Sequence, residues 1–164
     1  MDTYNHAAYG EALTTRLKLF QGAARKCFFE SPNSDTLYAL SQKLSEINHP
    51  VLVAVDGSDS DFDEGDADSL FETGQYYFLL LQPCRDDDPL DILGKQRQCK
   101  AVAGEIQGQM RRESAEYKNG LTMLGGDSFT VRSIGPVGDN LYGVIMGFQV
   151  AREVNFERNA QYWR

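Results

Sequence analysis

The sequence contains few cysteines and histidines, and it lacks a long apolar run. Its three cysteines, Cys27, Cys84 and Cys99, are an odd number at unrelated spacings, which argues against a disulfide framework. The two histidines, His6 and His49, lie far from each other and from any paired cysteines, so a four-ligand zinc site is not expected. No apolar run approaches the roughly 18 residues that span a bilayer, and the N-terminus lacks the pattern of a secretory signal. We therefore expect no membrane insertion and a protein that stays where it is made.

Basic residues are almost absent from the middle of the chain. Residues 51–94 hold twelve acidic side chains and one basic side chain, Arg85, whereas residues 95–164 carry a net charge of +3. The whole chain has a net charge of −8, the opposite of the balance expected for a general nucleic-acid binder. Its 164 residues, 41% of them apolar, are typical of one soluble domain spanning residues 1–164.

Three helices are predicted from apolar residues spaced three and four positions apart. The first covers residues 7–29, the second residues 35–47 and the third residues 89–117. The third is the best delimited, because Asp88 is a favourable N-cap and Pro89 fits the first helical position. Its buried stripe is predicted to consist of Ile92, Cys99, Ala103, Ile106 and Met110.

Four strands are predicted at residues 51–56, 75–82, 128–134 and 141–152. The second is apolar on both sides and is therefore expected at the centre of a sheet or packed against another subunit, and the fourth alternates apolar residues from Tyr142 to Val150. The element order is α-α-β-β-α-β-β, and short connections make both strand pairs antiparallel neighbours. We predict a single α+β domain with an antiparallel four-stranded sheet and helices packed on one face.

The predicted loop between the first two strands, residues 56–74, is strongly acidic, with seven carboxylates in the thirteen residues from Asp56 to Asp68. It fails as an EF-hand, because counting from Asp59 places Glu64 where glycine is needed and Leu70 where the final glutamate is needed. We predict a solvated charged loop without a dedicated metal, with weak adventitious Ca²⁺ binding as the alternative. The candidate acidic residues are Asp59, Asp61, Asp63, Glu64, Asp66 and Asp68.

No local pattern indicates catalysis. The segment "GPVGDNLYG" lacks the features of a phosphate-binding loop and is predicted to be a turn. Two histidines provide little general-base capacity, and the carboxylates are clustered in one run instead of being held apart on rigid elements. We therefore predict that the protein is not an enzyme and has no cofactor.

In its order of elements, the chain resembles the phage tail-terminator and tail-completion proteins. The resemblance rests on an N-terminal helix, two strands joined by a long loop, a crossing helix and a terminal hairpin. It is closest in "VRSIGPVGDNLYGVIMGFQVARE", residues 131–153, where a turn leads to Tyr-Gly and an alternating apolar strand. The additional helix at residues 35–47 departs from the simplest version of the family. The resemblance implies a virion protein of the tail and neck that forms a homo-oligomeric ring, a hexamer for example, in contact with tail-tube and neck proteins.

A ring of this kind would let DNA pass without binding it specifically. A lumen lined by carboxylates repels the phosphate backbone, and the acidic loop is the candidate for that surface. Edge strands and the C-terminal tail, residues 155–164, are the candidate contacts between copies. The residues proposed for these contacts are Gly143, Gly147, Phe156, Tyr162 and Trp163.

Two other classes of function remain open at the level of sequence. The first is an acidic DNA-mimic inhibitor of a DNA-binding enzyme, although such a protein should carry its charges on rigid helices and strands. The second is a small ligand-binding accessory domain in which the apolar face of the last strand forms a pocket wall. The oligomeric state separates the ring from the mimic, because the mimic is expected to be a monomer or a dimer.

Overall fold

A computed structural model describes residues 3–22, 26–32, 37–64, 70–85, 88–121, 124–154 and 161–162. The described residues form α-helices, one short 3₁₀ segment at Lys18–Phe20 and the strands of one sheet. The helices are α1 (His6–Arg16), α2 (Leu37–Leu44) and α3 (Pro89–Ala115). The strands are β1 (Phe28–Ser31), β2 (Val51–Glu64), β3 (Leu70–Pro83), β4 (Thr130–Val137) and β5 (Leu141–Glu153).

The strands form one mixed sheet in the spatial order β1-β2-β3-β5-β4. The neighbours β2–β3, β3–β5 and β5–β4 are antiparallel, as predicted for the four expected strands, and β3 lies at the centre. The prediction of a purely antiparallel four-stranded sheet is wrong, because β1 adds a fifth strand that runs parallel to β2. The fold is α+β.

The additional strand comes from a segment that we predicted to be helical. The helix predicted over residues 7–29 ends at Arg16, and Leu17 is already extended. Gly22 then adopts a φ of +82°, a conformation that glycine reaches at little cost. Phe28 and Phe29 pair with Leu52 and Val53 in the sheet. This pairing joins residues far apart in sequence, so the local apolar spacing could not reveal it.

Helices cover both faces of the sheet, and not one face as predicted. On one side, the α1/α3 face, side chains such as Leu52, Phe78 and Phe148 pack with residues of α1 and α3. On the other side, the α2 face, residues such as Val53 and Leu79 pack with α2. Both layers are needed because β2 and β3 carry apolar side chains on both faces of the sheet. Burial of the apolar side chains on each face stabilises the folded state.

α3 agrees closely with its prediction. The Asp88 side chain accepts hydrogen bonds from the backbone N–H groups of Leu90 and Asp91, and Pro89 occupies the first turn. The predicted stripe is buried from Cys99 to Met110, whereas Ile92 is half-buried. Among the described residues, no helix combines the length and the hydropathy that a bilayer crossing requires.

The segment that we predicted to be an acidic loop is mostly strand. β2 and β3 continue pairing from Ser60↔Gly74 to Glu64↔Leu70, beyond an irregularity between Asp56 and Ser60, and β5 pairs alongside as far as Glu153. We call residues 60–64, 70–74 and 150–153 the sheet extension. Aspartate, serine and glycine disfavour strands locally, so the pairing of β3 with its two neighbours decides the conformation here.

Candidate functional site

The sheet extension places its carboxylates on one face. Asp61 lies opposite Thr73, and Asp63 lies opposite Phe71, in positions that share the α2 face of the sheet. Both side chains are exposed, as is that of Asp59 within the irregular part of β2. Among the described residues, none of the three forms an ion pair. The result is an exposed strand segment with carboxylates at Asp59, Asp61 and Asp63, which we call the acidic strand, in place of the predicted loop.

The acidic strand also lies at an open edge of the sheet. β1 pairs with β2 only from Leu52 to Val55, so from Ser60 onward the outer edge of β2 has no strand partner among the described residues. Such an edge offers free N–H and C=O groups to another chain, and charged side chains are a common protection against indiscriminate pairing. Carboxylates at such an edge oppose its pairing with other acidic strands without needing a ligand.

The opposite face of the extension carries an exposed aromatic residue. The Phe62 side chain is 58% exposed and lies on the α1/α3 face beside Glu72. Glu72 accepts a hydrogen bond of 2.6 Å from Nε of Arg152 on β5, and the two side chains form an ion pair. Aromatic residues such as Phe62 are enriched in interfaces, although a single exposed ring is also common on protein surfaces.

A second unneutralised surface lies on the outside of α3. Arg97, Lys100, Ala101 and Gly104 are exposed, on the side of the helix away from the buried stripe. A Cβ atom added at Gly104 would meet nothing within 4 Å, so the fold of the chain itself does not require glycine there. Within the described part of the chain, neither Arg97 nor Lys100 forms an ion pair. We call these four residues the α3 outer face.

The most extensively hydrogen-bonded carboxylate lies in the interior, at Glu113 near the end of α3. Its Oε2 atom accepts from the hydroxyl of Tyr9 at 2.7 Å and from Asn119 at 3.0 Å. Its Oε1 atom accepts from Gln109 at 2.6 Å and from both terminal nitrogens of Arg16 at 3.2 Å. Burial by itself would raise the pKa of Glu113, but these hydrogen bonds outweigh it and hold the pKa below its usual value. The group ties α1 to α3.

Glu113 was not predicted as a site residue, although the sequence contains a signal for it. It occupies the next position of the buried stripe, three residues after Met110. An acidic residue at a core position indicates a paired, hydrogen-bonded carboxylate. Every carboxylate oxygen here already has two or more donors, so the arrangement is suited to holding helices together and leaves no free lone pair for catalysis.

His6 is held in the neutral form in the aromatic part of the core. A carbonyl can only accept, so the 2.9 Å contact with the carbonyl of Tyr77 places the proton on Nε2 of His6. Nδ1 then accepts from the hydroxyl of Tyr4 at 2.9 Å. The ring stacks on Phe78 with centroids 4.3 Å apart. Burial lowers the pKa of His6 to about 4, so this residue fastens the start of α1 to β3 and is a poor general base near neutral pH.

Gly143 and Gly147, the glycines proposed for an interface, are buried within their own sheet. A Cβ atom at Gly143 would lie 1.8 Å from the backbone oxygen of Leu80 on β3. At Gly147 it would meet Thr130 at 2.8 Å and the ring of Tyr77 at 3.0 Å. The small size of both residues is explained by contacts inside the chain, so it gives no support to an interface.

The remaining candidates belong to the C-terminal tail and to the sequence from Glu64 to Asp68. The tail leaves from the sheet extension, where the N–H of Val154 donates to the carbonyl of Leu70 at 2.8 Å. Tyr162 is 77% exposed. Glu64 ends β2, and its side chain is outside the described set. Asp66, Asp68, Phe156 and Trp163 also lie outside the described residues.

Neither a metal-binding cluster nor a reactive cysteine is found among the described residues. In the described ranges, no group of three or more His, Cys, Asp or Glu side chains is arranged to hold a metal ion. The three cysteines are free thiols, and burial raises the pKa of Cys84 and of Cys99, which makes both poor nucleophiles.

No protein-family model and no curated protein matches the chain.

Proposed function

We propose that this protein is a non-enzymatic structural protein that assembles into a homo-oligomeric ring, as a tail-terminator or tail-completion protein does at the head–tail junction of a phage. The observation that carries the proposal is the sheet extension. Apart from Val150, the three strands of the extension continue beyond the two buried clusters, with an open edge, with Asp61 and Asp63 outside any ion pair among the described residues, and with an exposed Phe62. An element of this kind is typical of a surface completed by another chain.

The path of the chain supports the same assignment. β5 runs along β3 as far as Glu153, so the tail of residues 155–164 follows a strand that lies on the other side of β3 from the acidic strand. Tyr162, Phe156 and Trp163 in or near this tail are aromatic residues of the kind enriched in interfaces. We propose that the extension and the tail together form the assembly surface. Tail-tube and neck proteins are the further partners that this function requires.

The acidic strand has two possible positions in such a ring. If it lines the passage, its carboxylates repel the DNA backbone and allow DNA to slide through. If it lies between copies, its charges must be neutralised by basic groups of the neighbour. Both positions are compatible with ring assembly, and charge reversal distinguishes them.

Light scattering coupled to size-exclusion chromatography, together with negative-stain electron microscopy, tests the ring directly. The full-length chain is expected to form closed annular particles of one defined mass. A variant truncated after Val154 is expected to keep its circular dichroism spectrum and to lose assembly. A full-length chain that stays monomeric at every concentration would exclude the ring. Unfolding of the truncated variant would show instead that the tail belongs to the core.

The structure also favours a second candidate, a DNA-mimic inhibitor. Such a protein should carry its charges on helices and strands, and Asp59, Asp61 and Asp63 lie on strand β2. Same-face positions on a strand are separated by about 6.7 Å, which fixes the spacing of Asp61 and Asp63. A mimic is expected to be a monomer or dimer that displaces DNA from a DNA-binding enzyme in a salt-dependent way. Annular particles would exclude it.

A further inference from the structure

Two surfaces of opposite charge have no ion-pair partner among the residues that the structure describes. The acidic strand exposes Asp61 and Asp63 at the open edge of β2, and the α3 outer face exposes Arg97 and Lys100. α3 packs against β3, β4 and β5, whereas the acidic strand is on the far side of β3. The two surfaces therefore cannot neutralise each other within one molecule.

We infer that the acidic strand of one copy docks on the α3 outer face of the next copy, as a head-to-tail contact. This inference rests on the proposed ring and names its interface. A head-to-tail contact joins two different surfaces of the same chain, and repeated copies of it close into a ring when the rotation between neighbours permits. Opposite unneutralised charges on the two surfaces satisfy the requirement for complementarity between the partners.

The shape of the α3 outer face suits the approach of a strand edge. Gly104 and Ala101 present almost no side chain, so another backbone can approach the helix closely between the longer basic side chains. Gly104 is also unfavourable in a helix, by up to about 1 kcal/mol relative to alanine, and the fold supplies no contact that requires it. Gly94 and Gly108 on the same helix also meet nothing within 4 Å, so Gly104 leaves room for a second copy, and the charges of Arg97 and Lys100 identify the docking face.

Phe62 supplies apolar area to the same contact. Its ring is 58% exposed and alternates along β2 with Asp61 and Asp63, so an edge-on partner meets the aromatic ring on one side and the carboxylates on the other. Two like surfaces would not pair, because acidic edges repel each other and basic helix faces repel each other. The charge pattern thus favours the head-to-tail arrangement over a two-fold symmetric dimer of either surface.

Paired charge reversal tests the contact. The strand variant is Asp61→Lys with Asp63→Lys, and the helix variant is Arg97→Glu with Lys100→Glu. Each alone is expected to lower the assembled mass to that of the monomer, whereas the chain that carries all four changes is expected to assemble again. The matched controls reverse exposed charges elsewhere, Glu11→Lys with Glu46→Lys and Lys18→Glu with Lys43→Glu, and should leave assembly intact. Circular dichroism and thermal unfolding verify that every variant is folded.

Mixing the two variants gives the sharpest readout. The acidic strand of the helix variant matches the basic helix face of the strand variant, and the lysines of the strand variant match the glutamates of the helix variant. An equimolar mixture should therefore assemble with alternating copies, although neither variant assembles alone. Annular particles that survive both reversals would overturn this contact and leave the proposed ring intact, with the acidic strand at the passage. Open filaments that dissolve on either reversal would support the contact and exclude a closed ring. A full-length chain that never assembles would exclude both.

Discussion

The centre of the sheet and the sheet extension are built from the same strands, yet they are held in place by different interactions. At the centre, Leu79, Leu80 and Leu81 are fully buried, because helices cover both faces. Each such side chain contributes about 1.5–3 kcal/mol by leaving water. In the extension, no described residue of 60–64 or 70–74 belongs to a buried cluster, and order depends on backbone pairing. The comparison separates the part of the chain that makes the fold stable from the part that is free to contact another molecule.

The same contrast applies to charged groups. Glu113 is enclosed by hydrogen-bond donors and fastens two helices, whereas Asp61 and Asp63 are exposed and have no ion-pair partner among the described residues. A buried carboxylate that loses its partners is costly, and an exposed one contributes little to folding. Substitutions should therefore affect stability at the centre and assembly at the extension.

The largest effect is expected at Gly143. Gly143→Ala forces its Cβ atom to 1.8 Å from the backbone oxygen of Leu80, and the two central strands must separate to relieve the overlap. We expect a loss of more than about 4 kcal/mol in the free energy of unfolding, a size that single substitutions reach only exceptionally. Gly108→Ala on α3 is the matched control, because its Cβ meets nothing within 4 Å; it should stabilise by up to about 1 kcal/mol. Equal effects of the two changes in urea unfolding would contradict this packing.

A smaller but still large effect is expected at Glu113. Glu113→Ala removes the acceptor for Tyr9, Gln109 and Asn119 and leaves Arg16 without its partner. We expect a loss of about 3 kcal/mol, at the low end for a broken buried pair because Arg16 is half-exposed. Glu105→Ala, an exposed position on the same helix, should change the free energy by less than about 0.5 kcal/mol. Similar losses for both variants would show that the Glu113 network does not hold the helices.

The pH dependence of the free energy of unfolding tests the role of the buried titratable groups at the centre of the molecule. The pKa of His6 is about 4 in the folded state, below its ordinary value near 6.5, so the unfolded chain takes up this proton first as the pH falls. Stability from His6 is complete above pH 6.5 and is lost down to about pH 4, a change of about 3 kcal/mol. Glu113, with its lowered pKa, adds a loss that begins only in the acidic range of carboxylates. Urea unfolding of the native chain and of His6→Phe between pH 6.5 and about pH 4 tests this contribution of His6. If the free energy of unfolding changed with pH in parallel for the two proteins, the assignment to His6 would be contradicted.

The smallest effect on stability is expected in the extension. Asp61→Asn with Asp63→Asn removes two exposed charges and should change the free energy of unfolding by less than about 0.5 kcal/mol. The loss of the charges also removes their protection of the open β2 edge, so slow aggregation measured by light scattering should increase. Millimolar Ca²⁺ should leave the melting temperature of the native chain unchanged. A rise of several degrees that these substitutions abolish would reveal a metal site in the acidic segment.

The sequence by itself determined the elements whose signals are local. The span of α3 could be read from Asp88, Pro89 and the stripe that ends at Met110, because a cap and a helical period lie within one continuous segment. The β4–β5 hairpin and the central place of β3 followed from alternation and from apolar residues on both of its sides. The acidic character of residues 56–68 was equally visible.

Only the tertiary structure decided what those segments do in space. Phe28 joined a strand and not a helix because Leu52 lies beside it, and Asp61 and Asp63 became strand residues because β3 is held by β5 on its other side. Gly143 is small because Leu80 approaches it from the next strand. Each of these outcomes depends on contacts between residues remote in sequence, whose free energy exceeds the weak local preferences of aspartate, glycine and phenylalanine.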